Sequence, residues 1–169
     1  MSGIAPLVLF DLDGTLVDSA VDLLNALNVI LVREGRAPVT LAQLRPVVSK
    51  GGRAMLGVGF PDLPADQRER HLQPFLDVYA DALAHHSTPF DGIAQVLSAI
   101  EAAGSRWGIV TNKPVYLAEG VVATMGWSQR CAAGCRRRAS PCRPWTLRAA
   151  VAPVSPAPAP RGPGSRSAH

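Results

Sequence analysis

Cysteine is absent from the first three quarters of this chain, long apolar runs are absent throughout, and acidic residues are absent from its last quarter. All three cysteines, Cys131, Cys135 and Cys142, follow residue 130. Their C-x3-C-x6-C spacing, with no His nearby, is a poor match to a metal or redox motif. No stretch approaches the roughly 18 apolar residues that a membrane helix needs. The N-terminus offers no Lys or Arg ahead of its apolar run, which ends at Asp11. A signal peptide is therefore not expected, and the cytoplasm is the default location. Residues 131–169 hold seven Arg and no Lys, Asp or Glu, a net +7; residues 1–130 hold 2 Lys, 8 Arg and all 13 acids, a net −3. The overall charge of +4 describes neither part. A length of 169 residues, 47% of them apolar, allows one domain with an insertion and a sizeable core.

The densest information lies in residues 7–19, Leu-Val-Leu-Phe-Asp-Leu-Asp-Gly-Thr-Leu-Val-Asp-Ser. Four apolar residues closed by a turn signal predict a buried strand in a parallel sheet. Strand alternation places Asp11 and Asp13 on one side, at the carboxyl end where open α/β sheets carry their chemistry. Gly14 permits a sharp turn, and Thr15 adds a hydroxyl. Two carboxylates this close both stay ionised when they share a cation, and a hard ion such as Mg²⁺ suits oxygen ligands. The same residues also suit a solvated Asp-Gly turn.

Helical spacing follows. Ala20, Leu23, Leu24, Leu27, Ile30 and Leu31 share a face, with Asp18 or Ser19 as cap and Gly35 as stop. Thr40 to Gln43 forms a capping box for a second helix that Pro46 cuts short. Residues 48–55 read as a glycine-rich loop. Leu72, Phe75, Leu76, Tyr79 and Leu83 predict one long helix from near Ala65. Residues 16–87 are thus a helical insertion, a cap, after the first strand. Residues 1–15 and 88–130 make the core: Ile93 to Ile100 predict a helix ending at Gly104, Arg106–Thr111 a buried strand, and Leu117 to Met125 a helix with Asn112 as cap and Pro114 in its first turn. The strand–helix order implies parallel pairing by right-handed crossovers. Thr111 and Asn112, at a strand end that opens a helix, suit either a phosphate site or ordinary capping. His71, His85 and His86 read as surface residues.

Asp-Leu-Asp-Gly-Thr after an apolar strand resembles motif I of the haloacid dehalogenase-like hydrolases, in the D-x-D-G-T-[LV]-x-[DN]-[ST] form typical of that superfamily's phosphatases. Ile-Val-Thr111-Asn112-Lys113-Pro resembles its motif II. The resemblance implies an α/β fold, a Rossmann-like parallel sheet core with an inserted helical cap, incomplete in this chain. It implies Asp11 as nucleophile, Asp13 as general acid and base, and Mg²⁺ held by the Asp11 carboxylate and the Asp13 backbone carbonyl. Thr111 would bind the transferring phosphoryl group, with Asn112 beside it. Lys113 would be solvent-exposed or near substrate. The cap type resembles the phosphoglycolate phosphatase group, with Lys50, Gly51, Gly52 and Arg53 facing the substrate; a solvated glycine-rich turn is the other reading of that loop. Gly-Gly-Arg-Ala-Met (52–55 with its preceding Gly51), His86-Ser-x-x-Phe90-Asp-Gly and Trp107-Gly-Ile-Val-Thr-Asn-Lys-Pro resemble a narrower branch, which includes N-acetylmuramic acid 6-phosphate phosphatases. The implied substrate is a small phosphorylated metabolite; a membrane or nucleic-acid partner is not expected.

The resemblance covers residues 7 to about 132. The family's third segment, with Lys, and its fourth, with Asp-Asp, have no counterpart in residues 131–169. That Arg-, Ala- and Pro-rich stretch reads as disordered, unable to build the remaining strands and helices. A polyanion-binding tail is one explanation, and a non-catalytic product the function it implies. The favoured one is a wrong reading frame of a GC-rich gene, since Lys, Asn, Ile, Phe and Tyr are all absent there. A chain lacking those segments is expected to be poorly folded, weak or inactive, with the motif I strand exposed on one side. Translating the gene in its other two frames beyond codon 131 should yield a Lys-Pro segment and then a Gly-Asp-Asp-like one; two frames without them rule the explanation out.

Overall fold

The run Leu7–Phe10 forms strand β1, which pairs in parallel with β4 (Arg106–Thr111), Leu7 opposite Arg106 and Phe10 opposite Ile109. This is a computed structural model, and it describes residues 6–136 and 144–145. The sheet continues to β5 (Ala133–Arg136), parallel to β4, and to β6 (Pro144–Trp145), antiparallel to β5. Helices α6 (Ile93–Ala102) and α7 (Val115–Thr124) make the crossovers. Leu97 of α6 and Ala118, Val121 and Val122 of α7 pack with Trp107 and Ile109 of β4, and Val8 and Phe10 of β1 join them. Consecutive right-handed crossovers in one direction put both helices on the same face.

That arrangement corrects one expectation and meets another. β1 is not a buried strand but the edge of the described sheet, and Leu7 and Leu9 are 47% and 54% exposed. Its pattern of four apolar residues is that of a strand covered on both faces, and the helices described here cover one. The expected exposure of the motif I strand is what the structure has.

Between β1 and β4 the chain leaves and returns through a short antiparallel pair, β2 (Val17–Asp18) with β3 (Thr88–Pro89). Two-residue strands have no periodicity, and the sequence offered no signal for them. Helix α1 (Ala20–Arg33) starts after Ser19 as expected, and Asp22 on it accepts from the His86 amide (2.9 and 3.1 Å) and from Ser87 Oγ (2.6 Å). This ties the two connecting segments together. Beyond α1 come α2 (Leu41–Leu44), with the anticipated capping box, a 3-10 turn (Arg45–Lys50), α3 (Gly52–Gly59), α4 (Ala65–Glu69) and α5 (Leu72–Asp81). Leu27, Ile30 and Leu31 of α1, Met55 and Leu56 of α3, and Phe75 and Tyr79 of α5 close a second apolar cluster.

Three helical expectations change. Residues 48–55 are not a loop: only Gly51, at φ 89°, breaks the chain, and Gly52 already begins α3. The long helix from Ala65 is two helices, divided at Arg70–His71. His71 is buried rather than on the surface, stacked 4.3 Å from the Phe60 ring; His85 and His86 are exposed as expected. In the last segment, Ala133–Arg136 does build a strand, because small residues can follow the free edge of β4 where Gly108 faces Ala133. Cys131 is buried, its thiol pushed up by that burial, and it donates to the Ala133 carbonyl at 3.3 Å. The expectations of disorder and polyanion binding for residues 137–143 and 146–169 lie outside the described residues, as does Cys142.

Phe75→Ala should lower stability by about 3–5 kcal/mol, the loss typical of an emptied aromatic site. Leu9→Ala on the open face should change it by roughly 0.5 kcal/mol or less. Urea unfolding of the two variants checks the contrast.

Candidate active site

Motif I folds as a tight turn at the end of β1. Leu16 and Val17 both donate backbone N–H to the Leu12 carbonyl (3.1 and 3.0 Å), and Gly14 donates to Val17 (2.9 Å). Gly14 sits at φ 80°, a conformation open to glycine and costly for most other residues. The turn buries Leu12 and Leu16 and leaves Asp11 and Asp13 facing one cleft. At the end of the neighbouring β4, Thr111, Asn112 and Lys113 line the same cleft. Its far wall comes from the helical segments and the Gly51 break between them: Leu23, Val48, Ser49, Gly51, Gly52, Met55, Phe75, Leu76 and Tyr79.

The two carboxylates have different surroundings. Asp11 accepts from the Leu12 amide at 2.9 Å. Asp13 is buried, accepts from Ser19 Oγ at 2.6 Å, and holds both oxygens against Lys113 Nζ at 2.9 and 3.1 Å. Lys113 Nζ also meets Tyr79 Oη at 2.9 Å. Burial works against the ammonium, but the charge of Asp13 and the Tyr79 hydroxyl outweigh it, so the lysine is held above its ordinary value. Burial pushes the Tyr79 hydroxyl up in turn, with Lys113 opposing.

Thr111 is buried, and its Oγ1 accepts from the Lys113 amide at 3.1 Å, which leaves the hydroxyl proton to donate elsewhere. Asn112 donates its side-chain N–H to the Ser49 carbonyl at 3.2 Å, and its Oδ1 is buried with no hydrogen-bond partner among the described residues. Gly51 permits this approach: a Cβ there would lie 3.3 Å from that of Asn112.

The structure thus gathers Asp11, Asp13, Thr111, Asn112, Gly51 and Gly52. It does not bring Lys50 or Arg53 to the cleft. Lys50 is exposed, and Arg53 turns away into a bidentate pair with Glu69 (2.8 and 2.5 Å), the solvated reading of that segment. Asn112 is not the helix cap, since α7 begins at Val115 after Pro114. The solvent-exposed alternative for Lys113 is overturned by its buried ion pair. Ser19, read as a cap and as the last position of motif I, and Tyr79, read only as part of an apolar face, make contacts the sequence reading missed. The available signal was a tyrosine on a buried stripe, whose hydroxyl needs a partner. Carboxylate oxygens are hard donors of the kind that suit Mg²⁺, both Asp13 oxygens are held by Lys113, and among the described residues no cluster of three or more His, Cys, Asp or Glu forms.

A mostly parallel sheet with a polar cleft beyond the carboxyl ends of two adjacent strands defines a protein of the α/β class. The chain belongs to the haloacid dehalogenase-like hydrolase family, whose model matches residues 8–130. It is similar to a phosphoglycolate phosphatase of Xylella fastidiosa (51% identity over 125 residues, covering 74% of this chain and 55% of that protein). It is also similar to an N-acetylmuramic acid 6-phosphate phosphatase of Pseudomonas aeruginosa (44% over 124 residues, 73% and 55%). The chain therefore spans little more than half the length of these relatives. In fold it resembles the crystal structure of a predicted phosphoglycolate phosphatase from Haemophilus somnus, with a TM-score of 0.70 at 22% identity, over 79% of this chain and 63% of that one.

Proposed function

We propose that the chain carries the first half of the active site of a Mg²⁺-dependent phosphomonoester hydrolase working through an aspartyl-phosphate. The observation that carries this reading is the meeting of Asp11, Asp13 and Thr111 in one cleft from the ends of two paired parallel strands. Residues 16–87 act as the cap, and residues 1–15 with 88–130 as the core.

In this reading an Asp11 oxygen attacks phosphorus, and the bond from phosphorus to the leaving oxygen breaks as Asp13 gives that oxygen a proton. Asp13 then takes a proton from water, which attacks phosphorus and releases Asp11 and inorganic phosphate. Thr111 donates its hydroxyl to a phosphoryl oxygen. Gly51 and Gly52 bring backbone close to the substrate, and Asn112 stands beside the transferring phosphoryl group. Asp11, through its carboxylate, and Asp13, through its backbone carbonyl, would hold Mg²⁺. When bound, the ion offsets the repulsion between the Asp11 carboxylate and the phosphoryl oxygens.

The substrate is a small phosphorylated metabolite. Phosphoglycolate is favoured by relatives such as the one from Xylella. N-acetylmuramic acid 6-phosphate is the second reading, favoured by relatives such as the one from Pseudomonas. The family match stops at residue 130, and beyond it the chain holds no acid and no lysine, which supports the frame-error explanation. Each missing charged group of this kind costs about 10²–10³ in rate.

Restoring the frame beyond codon 131 should therefore raise hydrolysis of p-nitrophenyl phosphate by at least about 10² over the chain as written. That gain should vanish in Asp11→Asn and on chelation of Mg²⁺. An inactive restored protein, or an active Asp11→Asn form, refutes the reading. A parallel panel of phosphoglycolate and sugar 6-phosphates identifies the substrate.

A further inference from the structure

We infer that Lys113 is a positioning residue: its ammonium ties the carboxylate of Asp13, in the core, to the hydroxyl of Tyr79, in the cap, so that seating the cap and placing Asp13 are one event. The inference rests on the hydrolase reading only in calling Asp13 the acid–base group.

The connection is short and complete. Lys113 lies two residues beyond the end of β4, and its Nζ reaches both Asp13 oxygens and Tyr79 Oη within 3.1 Å. It also lies 4.3 Å from the centre of the Tyr79 ring. Tyr79 is near the end of α5, in the apolar cluster built by α1, α3 and α5 rather than the one around β4. Ser19 holds the remaining direction of Asp13 through Oδ1. The lysine is thus a bridge between two packing units. A buried ammonium that loses one of its two partners is left undersatisfied, and so is the carboxylate it holds.

A second contact runs alongside it. Asn112, the residue before Lys113, donates to Ser49 in the 3-10 turn of the cap. Adjacent residues of one strand-to-helix turn therefore grip the cap at two points, one by charge and one by a neutral amide. A cap that lifts must release both.

Amide hydrogen exchange of the 169-residue chain tests this, without turnover as a readout. Tyr79→Phe keeps the ring and removes only the hydroxyl. It should speed exchange in segments 49–59 and 72–81 roughly tenfold, the size expected when one hydrogen bond to a charged group is lost. Exchange in Arg106–Thr111 should be unchanged. In a Lys113→Met background the same substitution should have no further effect, because the two act through one bridge. In Lys113→Ala, propylammonium should restore protection of the cap segments while propanol, of similar shape and no charge, does not. Equal exchange in Tyr79→Phe and the parent chain, additive effects in the double variant, or equal rescue by propanol each overturns the bridge. An inactive frame-restored protein would count against the hydrolase reading and leave these exchange results as they stand.

Discussion

A carboxylate buried between two packing units has to be satisfied from both, and in this protein that carboxylate is Asp13. The tight turn of motif I places it under the helical insertion, where water is largely excluded. An unpaired charge there would cost several kcal/mol. Ser19, at the start of the insertion, and Lys113, at the end of β4, supply the partners. The positions of α1, α5 and the β4–α7 turn are therefore not independent. The start of α1 and the β4–α7 turn bring the donors of the buried acid, α5 follows through Tyr79, which accepts from Lys113, and the cleft is the space left between them.

The elements legible in the sequence are those whose local signals agree with their surroundings. Arg106–Thr111 was readable to the residue, since its apolar run lies between Gly104 and the Thr-Asn pair and is buried by neighbours on the helical face. α1 was readable from its stripe and from Gly35. The meeting of Asp11, Asp13 and Thr111 at one cleft was readable because each sits at the carboxyl end of a strand that could be placed from the sequence. What escaped depends on contacts between distant segments. Nothing local says that Lys113 will fold inward, that His71 will stack on Phe60, or that Arg53 will prefer Glu69 to the cleft. Glycine was over-read as a breaker at 51–52, where one of the pair turns the chain and the other starts a helix. Composition was over-read after residue 131, where a sheet edge recruits four residues with little strand propensity of their own.

The cleft wall has a further bearing on recognition. With Lys50 and Arg53 turned to solvent or paired, the helical wall of the cleft is lined by Leu23, Val48, Met55, Phe75 and Leu76. Under the proposed function, specificity in the described part of the chain would come from shape and from backbone at Gly51 and Gly52, with Asn112 as the polar group beside them. Charge is concentrated on the core side, around Asp11, Asp13 and Lys113. This division suits a site in which one half handles phosphate and the other the rest of the molecule.

The pairing of Leu7 with Arg106 has a consequence for how the chain is made. On the ribosome β1 emerges first, and its partner follows only after the whole helical insertion has been synthesised. Until then the motif I strand has neither a neighbour nor a covered face, while α1 to α5 can already close their own apolar cluster. Non-local pairing of this kind is slow, and the waiting strand is an adhesive one. The helical segment is thus a delay built into the order of synthesis. During it, a holdase chaperone that binds short apolar strands has its best opportunity at Leu7–Phe10.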